Sequence, residues 1–103
     1  MRDATRRAEV AAEIFRQLGG GRFTAMTGAR RFVATEDGLR FGLGRAKNGI
    51  NVVTVNLNGR DYYDVEFAKA RGFKVATVSR FEDVSVDALR GVFERATGLL
   101  TNL

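Results

Sequence analysis

Apolar residues near both ends of the sequence recur at three- and four-residue spacing, which predicts two amphipathic helices. The inner face of the first helix carries Ala8, Ala11, Ala12, Phe15 and Leu18. The run Gly19-Gly20-Gly21 ends this helix, because glycine readily takes the left-handed conformation of a helix C-terminus. In the second helix, Ser85 is a good N-cap, Asp87 lies in the first turn and Gly98 follows the last apolar turn.

Between the helices the pattern changes to short β-branched runs separated by turn residues, which predicts strands. The predicted strands span residues 22–27, 31–35, 39–43, 50–57, 61–67 and 73–80. Residues 28–30 suit a bulged hairpin connection, and Asp37-Gly38 is a favoured turn pair. This order predicts an α+β fold for residues 1–103, taken as a single domain. We expect an antiparallel meander sheet of about five to six strands, flanked on one face by an N-terminal and a C-terminal helix. The core aromatics would be Phe15, Phe41, Phe67 and Phe93.

Residues 61–70 fit two structures. On a strand, Tyr63, Val65 and Phe67 share one face; on a helix, Tyr63, Phe67 and Ala70 form a stripe that Gly72 would end. We favour the strand because tyrosine and valine prefer sheets.

The residue types that the chain lacks narrow its chemistry. It contains no cysteine and no histidine, which removes thiolate nucleophiles, the commonest general base and the commonest metal ligand. Asp64 and Glu66 lie two residues apart and would share one strand face, a spacing that suits Mg²⁺ or acid–base catalysis. Because Asp61 falls on the opposite face and no third ligand joins them, we favour a solvated strand face. We therefore expect a non-enzymatic protein without a cofactor or metal site.

The sequence also bears on location. No apolar run approaches the ~20 residues that span a bilayer. The first fifteen residues contain acids and lack the apolar segment of a secretory signal. We therefore expect a cytoplasmic protein that does not enter a membrane.

Positive charge is concentrated in the predicted sheet. The net charge is +5, and residues 22–80 alone hold eleven basic and five acidic groups, a balance of +6. The predicted hairpin ends at 28–31 and 44–48 would bring five cations together: Arg30, Arg31, Arg40, Arg45 and Lys47. An open sheet face with arginines and aromatic platforms suits single-stranded nucleic acid. Tyr62 is the aromatic expected on that face, where Asp64 and Glu66 would repel phosphates. The alternative is a solvated basic surface that reflects arginine-rich composition.

Four segments carry a resemblance to known proteins: EIFRQLGG, MTGARRFV, KNGINVVTVNLNGRDYYDVEF and VFERATGLLTNL. With these segments the chain resembles a group of small, uncharacterised phage, prophage and mobile-element proteins. The resemblance implies a phage or integrated-element origin, a cytoplasmic location in the host cell, and a role in replication, packaging or host interference.

Two functional hypotheses follow. The first is an accessory protein that binds nucleic acid through Arg30, Arg31, Arg40, Arg45 and Lys47. The second is a protein-interaction module, an inhibitor or assembly factor, that captures an acidic host or phage protein, since a basic surface attracts both kinds of partner. A homodimer through an edge strand is also possible, because no proline protects the edges.

Overall fold

Residues 4–101 form a five-stranded antiparallel sheet with three α-helices, which confirms the predicted α+β meander. The structure, a computed structural model, describes residues 4–101; residues 1–3 and 102–103, the ends of the predicted domain, lie outside this range. The helices are α1 (Ala4–Leu18), α2 (Gly20–Thr27) and α3 (Val86–Thr97). The strands are β1 (Arg30–Ala34), β2 (Gly38–Gly42), β3 (Val52–Leu57), β4 (Tyr63–Arg71) and β5 (Lys74–Val84), in that spatial order. None of the helices described is long and apolar enough to cross a bilayer.

The strand predicted at 22–27 is wrong, because this segment is helix α2. Gly19 and Gly20 take positive φ angles of 124° and 61° and interrupt the helix, but the chain then resumes helical geometry. The hydroxyl of Thr27 donates to the carbonyl of Phe23 at 2.7 Å, within the last turn of α2. Gly28, at φ 71°, ends the helix, so the predicted hairpin at 28–30 is a helix-to-strand junction.

Within residues 61–70 the chain is a strand from Tyr63 onward and not a helix, as favoured from the sequence. Val53 pairs with Phe67 and Val55 with Val65, which places alternate residues of β4 in the core. The strand continues to Arg71, beyond the predicted end at Phe67. This segment is a strand because its pairing with β3 places every second residue of β4 in the core.

Aromatic rings form the centre of the core between the helices and one face of the sheet. The sheet contributes Leu39, Phe41, Val53, Val55, Tyr63, Val65 and Phe67 to this core. Phe23 lies at its centre, with ring centroids 5.5 Å from Phe41 and 5.1 Å from Phe93. The predicted core residue Phe15 is only half-buried and packs at the rim, with its ring 5.1 Å from that of Phe32. The apolar faces of α1, α2 and α3 thus share one face of the sheet, and the opposite face is open.

The C-terminal helix has the predicted termini. The Ser85 hydroxyl accepts a hydrogen bond from the amide of Ala88 at 3.3 Å, and Gly98 ends α3 at φ 75°. Capping of this kind satisfies backbone groups that the helix leaves without partners.

Strands β1 and β5 are the edges of the sheet. The pairing register shifts once in β1, between Arg30 and Val33, and twice in the β4–β5 pair. Bulges of this kind twist an edge away from regular pairing with another strand. The homodimer through an edge strand stays a prediction.

Candidate nucleic-acid interface

A depression of ≈ 360 Å³ lies on the open face of the sheet, where β1 and β3 begin and β2 ends. Arg30, Arg31 and Arg40 line it, so the fold brings together three of the five cations predicted to bind. Its other lining residues are Phe41, Gly42, Leu43, Gly44, Asn51, Val52 and Ala70. No carboxylate belongs to this lining within residues 4–101. The depression is therefore electropositive.

Strand register explains two of the three arginines. Arg30 pairs with Gly42, and Arg40 precedes Gly42 by two residues on β2, so both side chains leave the same face. The absence of a side chain at Gly42 keeps the floor between them low. Gly44 lies directly beside the Arg30 guanidinium, because a Cβ added at Gly44 would be 3.1 Å from Nη1. Small residues thus give the long arginine side chains room to lie over the sheet.

Arg31 reaches the same depression through a strained backbone. Consecutive residues of a regular strand point to opposite faces, yet Arg30 and Arg31 both line this site. The register shift before Val33 and a φ of 59° at Arg31 account for this, since the bulge turns the second side chain. A left-handed conformation costs a non-glycine residue about 1–2 kcal/mol. The chain therefore holds an arginine at a position where glycine is easier to accommodate.

Among the residues that the structure describes, no anion neutralises the three guanidinium groups. Within residues 4–101, the side chains of Arg30, Arg31 and Arg40 form no ion pair and no hydrogen bond. Other arginines are paired with carboxylates: Arg16 with Glu13, Arg60 with Asp83 at 3.1 Å, and Arg80 with Asp64 at 3.9 Å. The donors in the depression are consequently available to an external anion.

The other two predicted binding residues lie elsewhere. Arg45 and Lys47 are exposed in the loop between β2 and β3, and neither lines the depression. Lys47 lies beside the end of α3, where its Cβ is 3.6 Å from the place of a Cβ added at Gly98. A cation there is favoured by the partial negative charge of a helix C-terminus. Lys47 thus belongs to the helix side of the loop.

The acidic side chains of β4 are engaged by neighbouring donors. Glu66 accepts a hydrogen bond from the Thr77 hydroxyl at 2.8 Å. Asp64 accepts from Asn58 Nδ2 at 3.1 Å and from the amide of Asp83 at 3.2 Å. Among the residues that the structure describes, no group of three or more acidic side chains is arranged to hold a metal ion. Both carboxylates therefore have hydrogen-bond partners within the protein.

Glu66 nevertheless lies on the open face near the site. It stands in one row with Arg40 and Thr54 across three strands, so about 10 Å separates the Arg40 and Glu66 backbones. This carboxylate limits the electropositive area on its β4 side.

The aromatic platform expected at Tyr62 is absent from the depression. Tyr62 precedes β4 at the opposite end of that strand and is 43% exposed. Phe41 belongs to the lining, but its ring is in the core and only 1% exposed. The depression therefore offers guanidinium groups for anions and no exposed ring for stacking.

Sequence reasoning missed Asn51 and Ala70, which form the wall of the depression on the β4 side. The Asn51 side chain is hydrogen-bonded to the backbone of Ala70, and this contact extends the β3–β4 pairing past the first residue of β3. From the sequence, Asn51 falls inside the strand predicted at residues 50–57, and only the observed register of β4 shows its partner.

Comparisons of the chain with protein-family models, curated proteins and solved structures yield no match. The resemblance to phage and mobile-element proteins therefore stays a prediction, and the functional argument depends on the geometry of the arginine depression.

Proposed function

We propose that this protein is a non-enzymatic accessory protein of a phage or mobile element, and that it binds nucleic acid. The observation that carries the proposal is the convergence of Arg30, Arg31 and Arg40, without carboxylate partners among residues 4–101, on one depression. Guanidinium groups donate paired hydrogen bonds to phosphate oxygens and remain charged at every physiological pH. Phosphate groups of a polynucleotide backbone are the ligands that this arrangement fits.

Binding through this site would be largely independent of base sequence. Asparagine reads adenine through a paired donor and acceptor, whereas arginine, the commonest reader of guanine, engages phosphate oxygens with the same donors. The one amide in the lining, Asn51, already uses its oxygen and a nitrogen hydrogen on Ala70. The arginines then act on the backbone, and the affinity falls steeply with salt as counterions are released.

The test measures fluorescence anisotropy of labelled single-stranded and duplex DNA and RNA at about 50 mM and about 200 mM salt. A triple variant, with Arg30→Gln, Arg31→Gln and Arg40→Gln, should lose about tenfold or more in affinity, because each charge-assisted hydrogen bond contributes about 1.5–3 kcal/mol. A matched control replaces three exposed arginines outside the depression, Arg22, Arg90 and Arg95, with glutamine.

The control carries the same net charge as the test variant, so it separates the site from bulk attraction. It should retain affinity within about threefold, since only non-specific steering is weakened. If the wild-type protein binds none of the four nucleic acids at the lower salt, this result would contradict the proposal. Equal losses in the two triple variants would contradict the location of the site.

The second candidate is a module that binds an acidic protein. The observation in its favour is that the lining offers guanidinium groups and small residues but no exposed ring, and such a surface can meet carboxylates of another protein. The experiment is a pull-down from nuclease-treated host lysate with wild type and both triple variants. A discrete protein held by the wild type and the control, and lost with the site variant, would favour this candidate.

A further inference from the structure

The β4–β5 hairpin extends past the rest of the sheet. β3 begins opposite Ala68, and the Asn51 side chain reaches only as far as Ala70. Beyond that point the two strands pair with each other alone, up to Arg71 opposite Lys74. At about 3.3 Å per residue, this end of the hairpin projects about 10 Å past the first pair of β3. We call residues 69–76 the arm.

The arm ends in a two-residue turn that presents an aromatic ring. Gly72, at φ 62°, occupies the first turn position, and Phe73 occupies the second. Glycine first, followed by a residue of ordinary φ, is the pattern of a tight hairpin turn whose twist matches the strands. Phe73 is fully exposed, more than any other large apolar side chain of the described residues. Burying such a ring normally stabilises a fold by about 1.5–3 kcal/mol. The exposed ring of Phe73 makes no such contribution.

The charges around Phe73 indicate what the ring meets. The arm contains three cations, Lys69, Arg71 and Lys74, and no carboxylate. Arg71 and Lys74 form the pair that closes the turn, so two cations share one face of the hairpin next to Phe73. An exposed apolar ring next to cations fits a polyanion that also carries flat apolar groups. A single-stranded nucleic acid has both, in its phosphates and its unpaired bases.

The arm is also continuous with the arginine depression. Ala70 lines the depression, and Phe73 follows it by three residues, a span of about 10 Å along the strand. A strand whose phosphates lie on Arg30, Arg31 and Arg40 therefore carries a nearby base to the tip.

We propose that Phe73 is the base-stacking residue of this interface: an unpaired base lies on its ring while Arg71 and Lys74 contact the adjacent phosphates. This inference depends on the proposed function, because the depression positions the strand that the tip engages. It supplies the aromatic platform that the depression lacks. It also predicts a preference for single strands, since a paired base must first be unstacked from its neighbours.

The absence of tryptophan from the chain allows a direct spectroscopic test. A Phe73→Trp variant carries one indole, at the tip, and its fluorescence is followed during titration with a single-stranded oligothymidylate. Stacking should quench this emission and leave the affinity close to that of wild type. The matched control is Tyr62→Trp, whose indole is exposed at the opposite end of β4 and should not be quenched.

Affinity gives a second readout. Phe73→Ala should weaken binding of the same oligonucleotide about 5- to 150-fold, the range for loss of one stacked base. The dependence of affinity on salt should stay unchanged because no charge is removed. The urea midpoint of this variant should equal that of wild type, since the ring has no contact to lose.

The outcomes separate this inference from the proposed function. If Phe73→Ala binds like wild type and the tip indole is not quenched, while the arginine triple variant still loses affinity, the stacking role is overturned and the phosphate site stands. If a blunt duplex quenches the indole emission as strongly as the single strand does, the assignment of an unpaired base as the ligand of the tip is overturned. If the indole emission is quenched or shifted to the blue only by vesicles of equal parts phosphatidylcholine and phosphatidylserine, the tip binds a membrane surface instead. If wild type binds no nucleic acid at all, both proposals fail.

Discussion

The side-chain amide of Asn51 is hydrogen-bonded to both backbone groups of Ala70. Its Nδ2 donates to the Ala70 carbonyl at 2.9 Å, and its Oδ1 accepts from the Ala70 amide at 2.8 Å. The side chain thereby takes the place of one more residue of β3 and supports the base of the arm. Both residues also line the arginine depression, so this contact links the position of the arm to the shape of the site.

Replacing Asn51 with alanine should therefore destabilise the arm. We expect Asn51→Ala to lower the free energy of unfolding by about 1–3 kcal/mol, because two backbone groups lose their partners. Urea unfolding measures the total, and hydrogen exchange at the Ala70 amide measures the local effect. Thr54→Ala, on β3 and without a side-chain hydrogen bond among residues 4–101, should change stability by no more than about 0.5 kcal/mol. Unchanged exchange at Ala70 in the Asn51 variant would contradict this role.

The salt dependence of binding should show the loss of a single phosphate contact when one arginine is replaced. For Arg40→Gln, the slope of log affinity against log salt should decrease in magnitude by about 0.7 with a single-stranded ligand, as for one lost phosphate contact. Arg95→Gln, on α3 and away from the depression, should leave the slope unaltered. A salt titration by anisotropy measures both, and equal slopes for wild type and Arg40→Gln would exclude a phosphate contact at this residue.

Because Arg31 lies in a bulge with a positive φ, two substitutions there should have equal effects on binding but different effects on stability. Arg31→Gly and Arg31→Ala both remove the guanidinium, so both should weaken nucleic-acid binding to the same extent. Glycine accommodates the positive φ of 59° without a Cβ clash, and alanine does not. The glycine variant should therefore be more stable than the alanine variant by about 1 kcal/mol in urea unfolding. Equal stability of the two would mean that the bulge holds no strain.

Gly38 is required by a close approach of two strands. A Cβ added there would overlap the carbonyl oxygen of Val55, which belongs to the paired backbone of β3. Gly38→Ala should destabilise the protein by about 3 kcal/mol or more, because the strands must separate. Gly59→Ala, with no atom within 4 Å of the added Cβ, is the matched control. Thermal unfolding followed by circular dichroism compares them, and a Gly38 variant as stable as the control would refute the close approach.

Acid should weaken the contact that holds the segment after α3. The backbone amide and hydroxyl of Thr101 donate to Glu94 at 2.8 and 2.9 Å and lower the pKa of that carboxyl below 4.5. The contribution to stability is therefore present above pH 4.5 and is lost as the pH falls through the lowered pKa. We expect at most about 1 kcal/mol, since the group is partly solvated. Urea unfolding across this range should show a smaller loss of stability in Glu94→Gln than in wild type, because the contact to Thr101 no longer titrates.

Much of the architecture followed from local patterns. The Ser85 cap and the Gly98 end of α3 were predicted correctly because each depends on groups within a few residues. The antiparallel meander was predictable for a similar reason: short turns force neighbouring strands to pair. The segment 22–27 was mistaken for a strand because α2 is short and its pattern is weak, and its helical state is stabilised by burial of Phe23 between Phe41 and Phe93.

The candidate site was predictable only in part. Arg30, Arg31 and Arg40 were selected from charge and strand position, and they meet. Arg45 and Lys47 were selected on the same grounds and lie outside the depression, because the loop turns toward α3. Nothing in the composition distinguishes the two groups.

Periodicity and turn chemistry in this chain specify the class of fold, the caps of α3 and the abundance of cations in the sheet, since each is written in residues close together along the sequence. The juxtaposition of Arg30 with Arg31 depends on a backbone bulge, and the reach of the arm depends on where β3 begins relative to β4. Both are set by pairing between segments distant in sequence. Strand register and backbone strain determine which cations lie together, so charge and hydrophobicity alone do not predict the composition of the site.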